Sequence, residues 1–290
     1  MTAPATTDTL AIREQQRFVW DGVAPGWQRW GREFERGAAT VTGRLLELTG
    51  AAPGMRVLDV GSGIGQPALS AGRAVSPGGL VVGVDLSPAM LAAARAAANG
   101  MANVDFVLGA VETAALPPRS FDAALSRWGL TFAADRIELL SAVAGLLKPG
   151  GVLAAAVWAE PQRVPMISLG FRAIATHLEL DPPPPGPGPF TMADPAVAAE
   201  ELEQAGFDAV EIVEHTVPFR FDSVAQFRRF SRDVLPPGMK RLLRERCGSV
   251  DDPGVWAAFE DAARAYAQPG GGVALASACL LIRAVAGGQR

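Results

Sequence analysis

The chain has 290 residues, enough for one large domain or one domain with a cap, and enough to bury a sizeable core. Lys and Arg number 26 against 30 Asp and Glu, a net charge of -4, so the basic footprint of a nucleic-acid binder is missing. Hydrophobic residues make up 49%, yet no apolar run reaches transmembrane length, which argues against membrane insertion. Cys247 and Cys279 are the only cysteines and have no metal-ligand spacing. No leader-like stretch opens the chain, so a cytoplasmic protein with reduced thiols is expected.

Residues 1–10 are small and polar and read as disordered. Residues 12–30 then gather Phe18, Trp20, Trp27 and Trp30, three of the six tryptophans, with Ala24-Pro25-Gly26 as a break in the middle. The stretch is either an amphipathic segment packed on the core or a flap that puts Trp20 and Trp27 against substrate. Arg32 to Thr49 reads as a helix with Val41, Leu45, Leu46 and Leu48 as its apolar set.

Val57-Leu58-Asp59-Val60-Gly61-Ser62-Gly63-Ile64-Gly65 is a buried strand running into a glycine turn, and Gln66-Pro67 opens the helix after it. Free N–H groups at that helix start are expected to face a nucleotide-like ligand. Gln66 stands where a dinucleotide fingerprint has its third glycine, and Asp59 precedes the turn. A pyrophosphate disfavours a nearby carboxylate, whereas a cofactor with a cationic end tolerates one. At these residues the sequence resembles the class I S-adenosylmethionine-dependent methyltransferases. The resemblance implies S-adenosyl-L-methionine as cofactor, held at Asp59, Gly61, Ser62, Gly63, Gly65 and Gln66.

Leu80 to Val84 is a nearly all-apolar second strand, as a parallel strand covered on both faces should be, and ends at Asp85. Ser87 before Pro88 is the better helix cap, which leaves Asp85 for the ribose hydroxyls. Leu86 and Met90 are expected to cover an adenine face. Val104 to Leu108 is the third strand, followed by Gly109-Ala110-Val111-Glu112. The family usually has an acid at the position of Ala110, so backbone groups of Ala110 and Val111 are expected to serve beside Glu112. Phe121 to Ser126 is the fourth strand. Ser126, Arg127 and Trp128, past or at its end, should line the junction of cofactor and substrate; Arg127 reads equally well as a structural ion pair. Ser126-Arg127-Trp128-Gly129 lacks the pattern of methylases that act on base amines. Lys148-Pro149-Gly150-Gly151 reads as a tight turn before a fifth strand, Val152 to Val157, which ends at Trp158, a further substrate-facing candidate. The resemblance covers about residues 55–160 with its motifs in order. It implies an α/β fold: a Rossmann-like seven-stranded, mostly parallel sheet with an antiparallel last strand and helices on both faces.

Past residue 160, Val164 to Leu180 reads as a helix, and the proline run from Asp181 to Pro189 as a stiff connector. Ala196 to Ala205 is a helix, Ala209 to Val217 a sixth strand, Phe221 to Tyr266 helical, and Val273 to Val285 a seventh strand. There is no repeat and no second sheet. Residues 1–290 therefore read as a single methyltransferase domain, with 12–30, 160–193 and 222–270 as lid or cap segments. The expected reaction is methyl transfer to oxygen or carbon of a small, mainly apolar metabolite, of natural-product or quinone-like type. A cyclase or rearrangement enzyme on the same fold is the alternative, and a nicotinamide-dependent oxidoreductase a more distant one. Of the two histidines, His215 reads as a structural strand residue and His177 as the candidate catalytic base. Neither has a carboxylate or cysteine at ligand spacing, so no metal is expected. Oligomeric state stays open.

Overall fold

The computed structural model describes residues 5–182 and 186–287. Part of the stretch read as disordered (residues 1–4) and part of the proline connector (residues 183–185) lie outside the described residues. Seven strands form one sheet: β1 Arg56–Val60, β2 Leu80–Asp85, β3 Val104–Leu108, β4 Phe121–Arg127, β5 Leu147–Trp158, β6 Phe207–Phe221 and β7 Val273–Ala286. Their spatial order is β3-β2-β1-β4-β5-β7-β6. The first five pair in parallel, and β7 runs antiparallel to both β5 and β6. The Rossmann-like mixed sheet with an antiparallel last strand is as expected.

Alternate strand residues feed two cores, one on each face of the sheet. Val57, Val81, Leu125 and Ala156 face α1 (Ala5–Thr49), α2 (Ala68–Ala74), α3 (Pro88–Ala97), α5 (Pro165–His177), α7 (Val224–Asp233) and α9 (Pro253–Ala263). Leu58, Val82, Ala124 and Leu153 face α4 (Arg136–Leu146) and α6 (Pro195–Gln204). The remaining helix, α8 (Pro237–Cys247), follows α7 in the helical insertion between β6 and β7. No helix among the described residues is long and apolar enough to cross a membrane.

Two local expectations are corrected. Lys148-Pro149-Gly150-Gly151 lies inside β5, at a register shift opposite Phe121 and Ala123, with Gly150 at φ +79. It is a bulge in the strand; the extra residues bend the chain without ending the pairing. β6 starts earlier and ends later than its apolar core suggests, with its own irregularity between Asp208 and Glu211. As the edge strand it alternates and carries Pro218 without harm, since one side of its ladder faces no neighbour.

The larger correction is α1. The expected break at Ala24-Pro25-Gly26 is absent: one helix runs from Ala5 to Thr49, Pro25 inside it, and takes in residues 5–10 of the stretch read as disordered. Interior proline removes one backbone hydrogen bond and crowds the preceding turn, so tertiary contacts must compensate. They are present on both sides of it. Asp21 accepts from the Ser87 hydroxyl at 2.6 Å and from Ala89 N at 3.2 Å. Gly26 lets the helix touch the end of α7: a Cβ there would lie 2.5 Å from the Asp233 carbonyl oxygen. Asp233 in turn accepts from the Trp30 indole at 2.9 Å and from Arg29 at 3.0 Å. Gly26 thus acts as a close-packing residue in this helix.

Gly26→Ala should cost about 1–3 kcal/mol, the range for forcing extra atoms into a packed contact. Gly43→Ala, in the same helix with open space around its Cβ, should instead gain about 0.5–1 kcal/mol. Urea unfolding of the two variants checks this; equal effects would refute the close approach.

Candidate active site

The carboxyl ends of β1, β2 and β4 meet at one cavity of about 300 Å³. Its floor is the turn after β1. Gly61 and Gly63 take φ +71 and +52, which L side chains rarely adopt. Gly61 also needs to be bare, since a Cβ would meet the Gly129 Cα at 3.0 Å. The N–H groups of Gly61 and Ser62 donate to the Val84 carbonyl at 2.9 and 3.1 Å.

Several of the turn's other N–H groups are not left free for a ligand, contrary to expectation. Gly63 N donates to Asp85 Oδ2 at 2.8 Å, Ala68 N to Asp59 Oδ2 at 2.9 Å, and Gly65 N to the Ser62 carbonyl at 2.9 Å. Two carboxylates have taken the positions an anionic ligand would fill. Asp85 also accepts from Ser87 N at 2.9 Å. Burial pushes its carboxyl up, opposed by the N–H groups of Ser87 and Gly63 and assisted by Asp21.

Of the residues singled out in the sequence, Gly61, Ser62, Gly63, Gln66, Asp85, Leu86, Met90, Ala110, Val111 and Glu112 line the cavity. So do Trp20, Trp27, Arg127, Trp128 and Trp158. Four others do not. Asp59 sits fully buried behind the turn, where it caps the helix start. Gly65 packs against Leu69 and Ala94. Ser126 is buried and donates to the Val60 carbonyl at 2.8 Å. His177 is the clearest departure: it ends α5, outside the cavity wall, with Nε2 3.5 Å from Asp252 Oδ1. His215 is on the outer strand, 3.3 Å from the Thr40 hydroxyl, and burial lowers its pKa.

The wall above the floor is aromatic. Trp128 stacks on Trp158 with ring centroids 4.3 Å apart and planes 6° from parallel. Trp128 holds φ +63, costly for a bulky residue, which turns its ring into this stack at the strand end. Phe34 meets Trp128 edge-on, and Trp27 meets Phe34 and Phe230. Arg127 forms a two-pronged ion pair with Glu35, with one N···O distance of 2.9 Å, and donates to the Thr42 hydroxyl at 2.7 Å. The structural reading of Arg127 is therefore correct, while its side chain still borders the cavity.

Arg13, Gln16, Phe34 and Glu35, all on α1, were missed in the sequence, as were Met166 and Phe171 on α5. Arg13 pairs with Glu112 at 2.9 Å and with Glu138 at 3.1 Å, so α1 is clamped over the cavity edge beyond β3. The only sequence signal was the aromatic cluster, and its extent was hidden by reading Pro25 as a break.

Residues 58–155 match the family described as a methyltransferase domain. The aklanonic acid methyltransferase DauC of Streptomyces sp. (strain C5) is 31% identical over 146 residues, 50% of this chain and 65% of its own. The nocamycin O-methyltransferase of Saccharothrix syringae is 36% identical over 136 residues, 46% of this chain and 48% of its own. The chain thus spans about half to two thirds of the length of these curated relatives. Over these residues the chain is similar to methyltransferases. Among solved structures, the cyclase SpnF superposes with a TM-score of 0.52 at 23% identity, over 87% of this chain and 82% of that one.

The fold leaves Asp59 in an unusual state. Burial pushes its carboxyl from 3.8 up to about 7, against the opposing pull of the Ala68 N–H and Arg127. Oδ1 has no partner among the described residues. The folded protein keeps a proton that the unfolded chain releases above about pH 4, so stability falls as pH rises from about 4 to about 7 and then levels off. Asp59→Asn retains an acceptor for Ala68 N and removes the buried charge. Its stability gain at pH 8 should be on the order of 1–3 kcal/mol and should vanish toward pH 4. Denaturant unfolding across that range tests the sign; a gain independent of pH would refute it.

Proposed function

We propose that the chain transfers a methyl group from S-adenosyl-L-methionine to oxygen or carbon of a small, flat, mainly apolar metabolite. The observation that carries this reading is one cavity with two unlike halves: a carboxylate-braced glycine floor and an aromatic roof. The floor fits the donor. Two of its N–H groups, those of Gly63 and Ala68, are taken by Asp85 and Asp59, which disfavours a pyrophosphate and suits a ligand with a cationic end. Asp85 at the end of β2 is placed to accept from ribose hydroxyls, and Leu86 and Met90 offer apolar surface to an adenine.

When bound, S-adenosylmethionine supplies a methyl group already activated by a positively charged sulfur. The chain's own residues then have to align the acceptor and keep water out. Trp20, Trp27, Phe34, Trp128 and Trp158 provide planar apolar surface for that. Among the described residues, no histidine, lysine, tyrosine or cysteine lines the cavity. Glu35 and Glu112 are each held by an arginine. A general base is thus not on offer at the wall, and the acceptor fitting this site is one that ionises readily, a phenol or an enol. One of the two curated relatives is named an O-methyltransferase, which supports oxygen as the acceptor atom. The same lack of a base also suits cyclisation, the activity named for SpnF. Product mass separates the two, since only methylation adds a methyl group.

Incubation with methyl-labelled S-adenosylmethionine and a panel of phenolic and enolic aromatic compounds should transfer label to at least one. Asp85→Asn should weaken donor binding by about 1.5–3 kcal/mol, the worth of hydrogen bonds to a charged group. It keeps one acceptor for the backbone N–H groups, so the fold should stand. Calorimetric titration giving an unchanged affinity would remove Asp85 from the donor site.

A further inference from the structure

The expectation that no metal ligands converge is overturned away from the cavity. His177, Cys247 and Asp252 each present a ligand atom, and all three atoms lie within 4.8 Å of one another. They come from three helix ends: the last turn of α5, the last residue of α8, and the residue capping the start of α9. We propose that this cluster is a zinc site that clips the cap helices α5, α8 and α9 together.

The donor set is one thiolate, one imidazole and one carboxylate, which suits a borderline-soft divalent ion such as Zn²⁺ and is a poor match for Mg²⁺ or Ca²⁺. Tetrahedral zinc with such ligands needs donor–donor edges of about 3.3–3.6 Å. His177 Nε2 and Asp252 Oδ1 already stand 3.5 Å apart, so only the Cys247 edges need to shorten. Asp252 Oδ1 accepts from Val255 N at 2.9 Å, which fixes the carboxylate. The chain leaves room for the imidazole at Gly254, where a Cβ would come 2.6 Å from His177 Cε1. The helix ends at His177 and Cys247 are both C-terminal, where outward carbonyls favour a cation. His177 is exposed and Cys247 and Asp252 are partly so, which leaves a path for an ion and room for water in the fourth position. Binding converts the Cys247 thiol to thiolate and releases its proton.

The consequence reaches the cavity wall. α5 carries Met166, Ile167, Gly170 and Phe171 there, and it packs against α9. An ion holding the far end of α5 would steady this wall, whatever the acceptor is.

The test is a Co²⁺ titration of the metal-free full chain under reducing conditions. One equivalent should bind with a near-ultraviolet thiolate-to-cobalt band and the visible bands of a four-coordinate ion, all removed by Zn²⁺. Cys247→Ser should lose the near-ultraviolet band, while Cys279→Ala, altering the buried thiol in β7, should keep it. His177→Gln should weaken Co²⁺ binding by at least the roughly 10–100-fold that losing a mere supporting residue costs. Zn²⁺ should raise the unfolding temperature of the unaltered chain and leave that of Cys247→Ser unchanged. No cobalt–thiolate band, or a band surviving in Cys247→Ser, would overturn the site and leave a plain His177–Asp252 ion pair.

Discussion

Asp59 and Asp85 hold the backbone of the glycine turn, and the site is built outward from that bracing. Each carboxylate accepts from an N–H that would otherwise face a ligand or be left buried without a partner. The turn can then pass close under Gly129 and present a shaped, nearly neutral floor. Burial raises the proton affinity of both acids, so the bracing is costly in free energy. A fold that keeps two buried carboxylates at the ends of adjacent parallel strands is one suited to a cofactor with positive charge.

The roof depends on that floor through α1. Asp21 reaches the cap of α3, just after Asp85, and Arg13 reaches Glu112 beyond β3. Glu35 reaches Arg127 at the end of β4, and Trp30 reaches Asp233 at the end of α7. The helix is thus tied to the sheet ends at points along its length, with Trp20 and Trp27 held between them. Partly buried pairs with good geometry hold position better than exposed ones, and here they set the orientation of an aromatic wall. Because α1 runs unbroken into the core at Val41 and Leu45, opening this roof requires moving the whole helix or fraying its first turns.

The central half of the fold was legible because its strands are covered on both faces and therefore read as short apolar runs ending in turn residues. Asp85, Trp128 and Trp158 could be placed from their position at strand ends, and Ser87 from its place before Pro88 at a helix start. The roof was harder to read. Pro25 and Gly26 carry the local signature of a break, and only the Asp233 carbonyl and the Ser87 hydroxyl, both distant in sequence, reverse it. Arg13 and Glu35 look like ordinary surface charges on a helix until their partners are known. Asp59 was misplaced for a related reason: strand alternation turns it away from the cavity and under the helix start. The His177 cluster was invisible because its ligands lie on three separate helix ends.

The placement of His177 changes the chemical argument as well as the map. With the histidine outside the wall and both wall glutamates paired, proton removal has to be settled largely by the acceptor itself. Under the proposed reading, such a site would select substrates by acidity as well as by shape: a flat phenol or enol ionised near neutral pH would react once aligned, and an ordinary alcohol of the same outline would not. The Arg127 guanidinium lies 5.2 Å from the ring of Trp128, which stacks on Trp158, so a positive charge borders the aromatic wall. Glu35 neutralises much of that guanidinium, so under the same reading an anionic acceptor would meet only a weak attraction there and could leave as a neutral methylated product.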